Sequence, residues 1–317
     1  MRPRETPDLQ NSLTELTGVV LDALHASQRV EYLLTQGVLG THPRRDRGVD
    51  RMVQQLLAAR YLELLRSGEP LPSLMDTEST FFSQNGEDGV LLYLLTLLGH
   101  GARTSAEICA GDGVECCTAN LIINHSWNGL LVDGDSDNVR TAEQFYANSR
   151  QQWFDPPVVR QAWITADSVA EILTDAAFDE ALDLLVIDID GMDFWIWKAL
   201  DRVRPRIVVT EVNPGLGHES LTLAYQSEFV RPDNIPFAGT SLPAMVGLGR
   251  TLGYTFVGTE RFGINAFFVR DDLVPDGLPL PSFESVLATP SVRRSAARIA
   301  AHLAPHRGAL KWVSEPV

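Results

Sequence analysis

Two apolar runs late in this chain, 254–259 and 264–269, are separated only by Glu260-Arg261-Phe262-Gly263. Four residues cannot carry a chain across a sheet, so these runs must pair as antiparallel neighbours. What precedes them has a different rhythm. From Ser83 onward, short apolar runs alternate with helical stretches, the pattern of a parallel sheet covered by helices on both faces. Strands are expected at 105–110, 129–133, 158–164, 182–189 and 206–212, and helices at 87–98, 113–126, 136–149, 167–177, 193–203 and 241–252. The expected fold is α/β, with a seven-stranded Rossmann-like sheet whose last hairpin is antiparallel. A dehydrogenase sheet would continue with another crossover instead.

The alternating region spans about 76–275. Ahead of it, 1–75 reads as a helical N-terminal extension. Ser12 and Glu15 form a capping box before Leu13, Leu16, Val20, Leu24 and Leu34, and a second helical stretch carries Val53, Leu57, Tyr61 and Leu64 as far as Ser67-Gly68. Such a layer would act as a lid or as a dimerisation element, which makes a homodimer one expectation. Residues 276–317 read as a proline-rich connector followed by an amphipathic helix over 291–303.

A net charge of −15 argues against a phosphate-backbone partner, so nucleic acid is not expected and a small-molecule acceptor is. No stretch of 18 residues is apolar and uncharged, so neither a membrane span nor anything but a cytoplasmic location is expected. Cys109, Cys116 and Cys117 lack metal-binding spacing and read as reduced packing residues.

Within the alternating region, Ala106-Glu107-Ile108-Cys109-Ala110-Gly111-Asp112-Gly113-Val114-Glu115 reads as strand, glycine turn and helix start, and Leu130-Leu131-Val132-Asp133 as a second strand ending in an acid. Gly111 and Gly113 let backbone approach a ligand, and Asp133 is placed to take a ribose hydroxyl pair. The pyrophosphate fingerprint wants a third glycine, but Cys116 stands there with Glu115 before it. An anion would be repelled, whereas Glu107 and Asp112 would attract the sulfonium and amino group of S-adenosylmethionine. Asp167, beyond the third strand, could accept from an adenine amino group or cap the next helix.

Asp188, Asp190 and Asp193 crowd the end of an apolar strand, and Glu211 and Asn213 follow its neighbour. Carboxylates this close raise a pKa or attract a cation, and an oxygen-only set suits Mg²⁺ or Ca²⁺. Asp190, Glu211 and Asn213 are the candidate metal ligands, with Asp188 assigned to the cofactor side. Without a metal, Asp190 or the loop residue His218 would serve as base.

The segments Ser83-Gln84-Asn85-Gly86-Glu87-Asp88-Gly89, Glu107 to Gly113, Trp127-Asn128-Gly129-Leu130-Leu131-Val132-Asp133-Gly134-Asp135, and Ile187-Asp188-Ile189-Asp190-Gly191-Met192-Asp193-Phe194-Trp195 together resemble the FkbM-like class I S-adenosylmethionine-dependent methyltransferases, over about 80–270. The resemblance implies that Glu107, Gly111 and Gly113 line the methionine part of the donor, that Asp133 holds its ribose, and that Gln84 lies near its amino acid end. It implies O-methylation of a small metabolite or glycosylated natural product. Macrocin-type sugar O-methyltransferases resemble this layout in placing acids around magnesium. Cys109 stands where such proteins commonly carry glycine. N- or carboxyl methylation on the same fold, a nicotinamide-dependent oxidoreductase and a catalytically silent nucleoside-binding subunit are the alternatives.

Overall fold

The computed structural model describes residues 46–149, 155–235 and 237–314. The first expected helix, over 12–34, lies outside the described residues. In chain order, the main elements are α1 (Asp46–Ser67), α2 (Glu87–Leu98), β1 (Thr104–Ile108), α3 (Ala119–His125), β2 (Asn128–Asp133), α4 (Ser136–Asn148), β3 (Val158–Gln161), α5 (Val169–Asp175), β4 (Leu184–Ile187), α6 (Asp193–Ala199), β5 (Ile207–Glu211), β6 (Leu221–Leu223), α7 (Leu242–Leu252), β7 (Tyr254–Thr259), β8 (Asn265–Arg270), α8 (Phe283–Ala288), α9 (Pro290–Leu303) and β9 (Trp312–Ser314).

Seven of these strands form one sheet in the order β3-β2-β1-β4-β5-β8-β7. The first five are parallel, while β8 runs antiparallel to both β5 and β7, with Glu211 opposite Asn265. This is the expected Rossmann-like α/β sheet with an antiparallel last hairpin. The parallel strands are buried on both faces because alternate residues enter different cores. Leu185, Ile187 and Phe268 pack with α5, α6 and α7, whereas Leu184, Val186 and Phe267 pack with α1 and α2. Each such buried side chain contributes roughly 1.5–3 kcal/mol.

A compact unit begins at Asp50 and includes the sheet, so most of α1 belongs with the sheet rather than with an extension reaching residue 75. Polar and aromatic contacts explain this. Gln54 is fully buried and exchanges two hydrogen bonds with Asn120, at 3.0 and 2.9 Å, and its oxygen also lies 2.6 Å from His125 Nε2. Tyr61 meets Tyr93 edge-on at 4.9 Å. Burial holds His125 neutral, its pKa lowered to about 4.

Several elements are shorter than expected. The 113–126 helix is helical only from Ala119, because Asp112 Oδ1 draws the amides of Val114 and Glu115 into a turn. β4 starts at Leu184, since the Asp183 carboxylate accepts from the amides of Gly101 and Arg103. A two-stranded sheet of β6 and β9 was not foreseen. Among the described residues, no helix is long and apolar enough to cross a membrane.

Candidate active site

In the strand order, β1 lies between β2 and β4, and connections leave it in both directions. The carboxyl ends of the strands therefore splay apart there, leaving a crevice. A cavity of about 160 Å³ occupies this place. Cys109 after β1, Gly134 after β2, Ala162 to Thr165 after β3 and Ile189 to Asp190 after β4 form its walls. A loop over 225–231 covers the remaining side through Tyr225, Phe229 and Arg231.

The turn after β1 is held from two directions. Glu107 is only 4% exposed and spends its carboxylate on the amides of Cys117 and Thr118 and on the Thr118 hydroxyl, at 2.9, 2.8 and 2.6 Å. It fixes the start of α3, and burial pushes its pKa up. Asp133, 6% exposed, accepts from Gly111 N at 2.9 Å on one oxygen, and from Asp135 N and Asn138 Nδ2 on the other. A carboxylate offers about four acceptor positions, so these three bonds leave Asp133 one.

The two turn glycines do different work. Gly111 has φ +56° and nothing within 4 Å of where a Cβ would stand, so its open side lets a ligand approach the backbone. Gly113, at φ +68°, would place a Cβ 2.8 Å from that of Ala142, and its role is close packing on α4. Cys109 also has positive φ, at 66°, where glycine would be unstrained. Its thiol lines the crevice, and burial, then the charges of Asp133, Asp188 and Asp190, push its pKa up strongly.

Beyond β4 and β5, Asp188, Asp190 and Glu211 each bring a carboxylate oxygen to within 4.8 Å of the others. Burial and mutual repulsion raise Asp188 and Glu211 well above the usual carboxylate range. Arg231 offsets some of this, with Nε 2.9 Å from Asp190 Oδ1. Asp190 holds a left-handed conformation at φ 54°. The turn that presents it is closed by Asp193, fully buried, whose oxygens accept from Ile189 N and Gly191 N at 3.0 Å each. Burial raises Asp193 to about 6.

Asn213 does not join these acids. It is buried and bonded to Gly215 N and Ala238 O, so Asp188 stands in its expected place beside Asp190 and Glu211. His218 lies against Phe283, 6.4 Å between ring centres, and lines neither the crevice nor the acidic cluster. Asp167 is exposed and outside the crevice wall, where Thr165 lies instead. Gln84 reaches Glu115 at 3.2 Å, and Asp112 is engaged within its own turn.

The sequence points to a loop over 213–240 closing on the acceptor, and the part of it that covers the crevice, 225–231, is held by bonds from distant segments. Trp163 Nε1 donates to Ser227 O, Tyr225 Oη accepts from Ala166 N, and Trp195 Nε1 donates to Leu223 O. These long-range bonds leave no periodic signal, although the clustered aromatic residues of 225–229 were a compositional hint.

No protein-family model matches the sequence, and neither does any curated protein. Among solved structures, the chain is similar to the glycopeptide N-methyltransferase MtfA, at 10% identity over 63% of this chain and 98% of that one, with a TM-score of 0.36. It is also similar to geranyl diphosphate C-methyltransferase from Streptomyces coelicolor A3(2), crystallised with Mg²⁺, geranyl diphosphate and S-adenosyl-L-homocysteine, at 14% identity over 58% and 81% with a TM-score of 0.37. Magnesium protoporphyrin IX methyltransferase from Synechocystis PCC 6803, with bound SAH, gives 13%, 58%, 81% and 0.34. The strand order, not these distant likenesses, identifies the fold.

Proposed function

We propose that the chain is an S-adenosylmethionine-dependent methyltransferase acting on a hydroxyl of a small metabolite. The observation that carries this is the joining of an open Gly111 backbone with a carboxylate floor of Asp188, Asp190 and Glu211 at the switch point of a class I methyltransferase sheet. A floor of carboxylates attracts a cationic sulfonium and repels the pyrophosphate of a nicotinamide dinucleotide. When bound, S-adenosylmethionine supplies a methyl group on positively charged sulfur. The chain orients it: Asp133 has one acceptor position left for a ribose hydroxyl, and the walls after β2 and β3 would enclose the adenine. Asp190, its side chain 51% exposed, would take the acceptor's proton, and most of the acceleration would come from positioning. Calorimetry tests this. S-adenosylhomocysteine should bind with micromolar affinity and NAD should not; saturation by NAD alone would overturn the reading.

A divalent cation is a second element of the reading. Asp188, Asp190 and Glu211 fit one, because their oxygens already converge and a cation would relieve the repulsion that raises two of them. Mg²⁺ there would supply Lewis acidity toward a hydroxyl. Millimolar Mg²⁺ should raise the unfolding temperature of wild type but not of Glu211→Gln, and full methyl transfer after chelation would exclude the role.

A further inference from the structure

A second cavity, about 590 Å³ in volume, lies between α9 and the turn that joins β7 to β8, and belongs to none of the roles above. One wall is a flank of α9. Arg294, Arg298 and His302 recur there at four-residue spacing and line the cavity, while Val292, Ile299 and Leu303 of the same helix are buried. The opposite wall carries Phe237 and Phe262, and Phe262 is 40% exposed.

The charge here runs against the rest of the molecule. The chain has a net charge of −15, yet α9 contains three arginines, one histidine and no acid. No carboxylate lines the cavity, and among the described residues neither Arg294 nor Arg298 has an ion-pair partner. One helical turn separates these two arginines, about 6 Å along the axis, so both guanidinium groups can reach one oxyanion. One exposed and one half-buried phenylalanine sharing a cavity with two arginines that have no ion-pair partner among the described residues make a site with an apolar half and an anion-binding half.

Its position gives this a meaning. Ile264 lines the cavity, and its carbonyl accepts from Val212 N, directly after Glu211. Asn85 lines it too, and Glu87 links Asn85 N to Asn265 Nδ2, opposite Glu211 in the sheet. A molecule in the cavity would have its anion at α9 and its other end toward Asp188, Asp190 and Glu211. The reverse orientation would bring an anion against carboxylates.

We propose that this cavity is the acceptor site and that the acceptor is an aromatic or aliphatic body bearing an oxyanion, such as a phosphate or carboxylate, gripped by Arg294 and Arg298. That the occupant is a methyl acceptor rests on the function proposed above; that the cavity binds an oxyanion does not. Phenyl phosphate and phenol, titrated separately into the full chain at low ionic strength, test it by calorimetry. Wild type should bind phenyl phosphate at least about tenfold more tightly than phenol, and the Arg294→Gln, Arg298→Gln double variant should lose that preference. Equal binding of the two probes by wild type, no binding of either, or a preference retained by the double variant would overturn the proposal. S-adenosylhomocysteine binding should be the same in both proteins, which also shows that the variant is folded. Preference for phenyl phosphate without S-adenosylhomocysteine binding would leave the oxyanion site standing and sink the methyl-transfer reading.

Discussion

Replacing Gly113 or Gly111 by alanine should separate stability from ligand binding within one turn. Both glycines have φ near +60°, which costs an L-residue about 1–2 kcal/mol. At Gly113 the new methyl would also lie 2.8 Å from Ala142 Cβ and 3.2 Å from Leu131 Cδ1, an overpacking worth about 1–3 kcal/mol. The reduced freedom of the unfolded chain returns about 0.4–1 kcal/mol in each case. Gly113→Ala should therefore lose about 2–4 kcal/mol and Gly111→Ala about 1 kcal/mol, both read from urea unfolding with an unchanged slope. Binding should rank them the other way. Gly111→Ala puts its methyl into open space above the turn, where the donor would approach, and should weaken S-adenosylhomocysteine about tenfold or more, while folded Gly113→Ala should bind within a few-fold of wild type. Equal destabilisation by the two changes, or weaker binding in Gly113→Ala than in Gly111→Ala, would refute this division of labour.

Stability should fall as pH rises from 5 to 8. Burial raises Glu260, whose carboxylate bonds the amides of Phe262, Ile264 and Asn265, to about 7, and raises Asp88 to about 6. A carboxyl whose folded pKa exceeds its unfolded value contributes stability that is complete below the unfolded pKa and lost as pH passes the folded one. For Glu260 this is worth up to about 3 kcal/mol, and Glu260→Gln should flatten the pH dependence of the unfolding temperature. Gln54→Ala strands the buried Asn120 and should cost about 2–4 kcal/mol, with faster amide exchange in α1. His218→Ala should leave methyl transfer within a few-fold of wild type, because His218 packs on Phe283 rather than in the crevice; a hundredfold loss in kcat would restore it as a base.

The sheet was legible because its signals are local. Runs such as Leu184-Leu185-Val186-Ile187 announce a doubly buried strand, and a four-residue link permits only a hairpin. Helix starts were less legible, since Glu107 and Asp112 reorganise 113–118 through side-chain bonds that no periodicity records. The acids after β4 and β5 were found, but their division was not. Asp193 and Asn213 turn inward to close loops, while Asp188 faces the cluster, and only tertiary packing decides which way each points. The α9 cavity joins residues 85, 237, 262 and 294–302, and nothing in a linear reading brings those segments together.

β9 pairs with β6 from Leu221↔Ser314 to Leu223↔Trp312, and Ala224 N donates to Lys311 O just before the covering loop begins. The segment 311–314 is thus a tether for the crevice's roof. Cutting the chain back past Trp312 would unmoor that roof. A reporter dye near Trp312 would then sense ligand entry from a segment about 80 residues away in sequence.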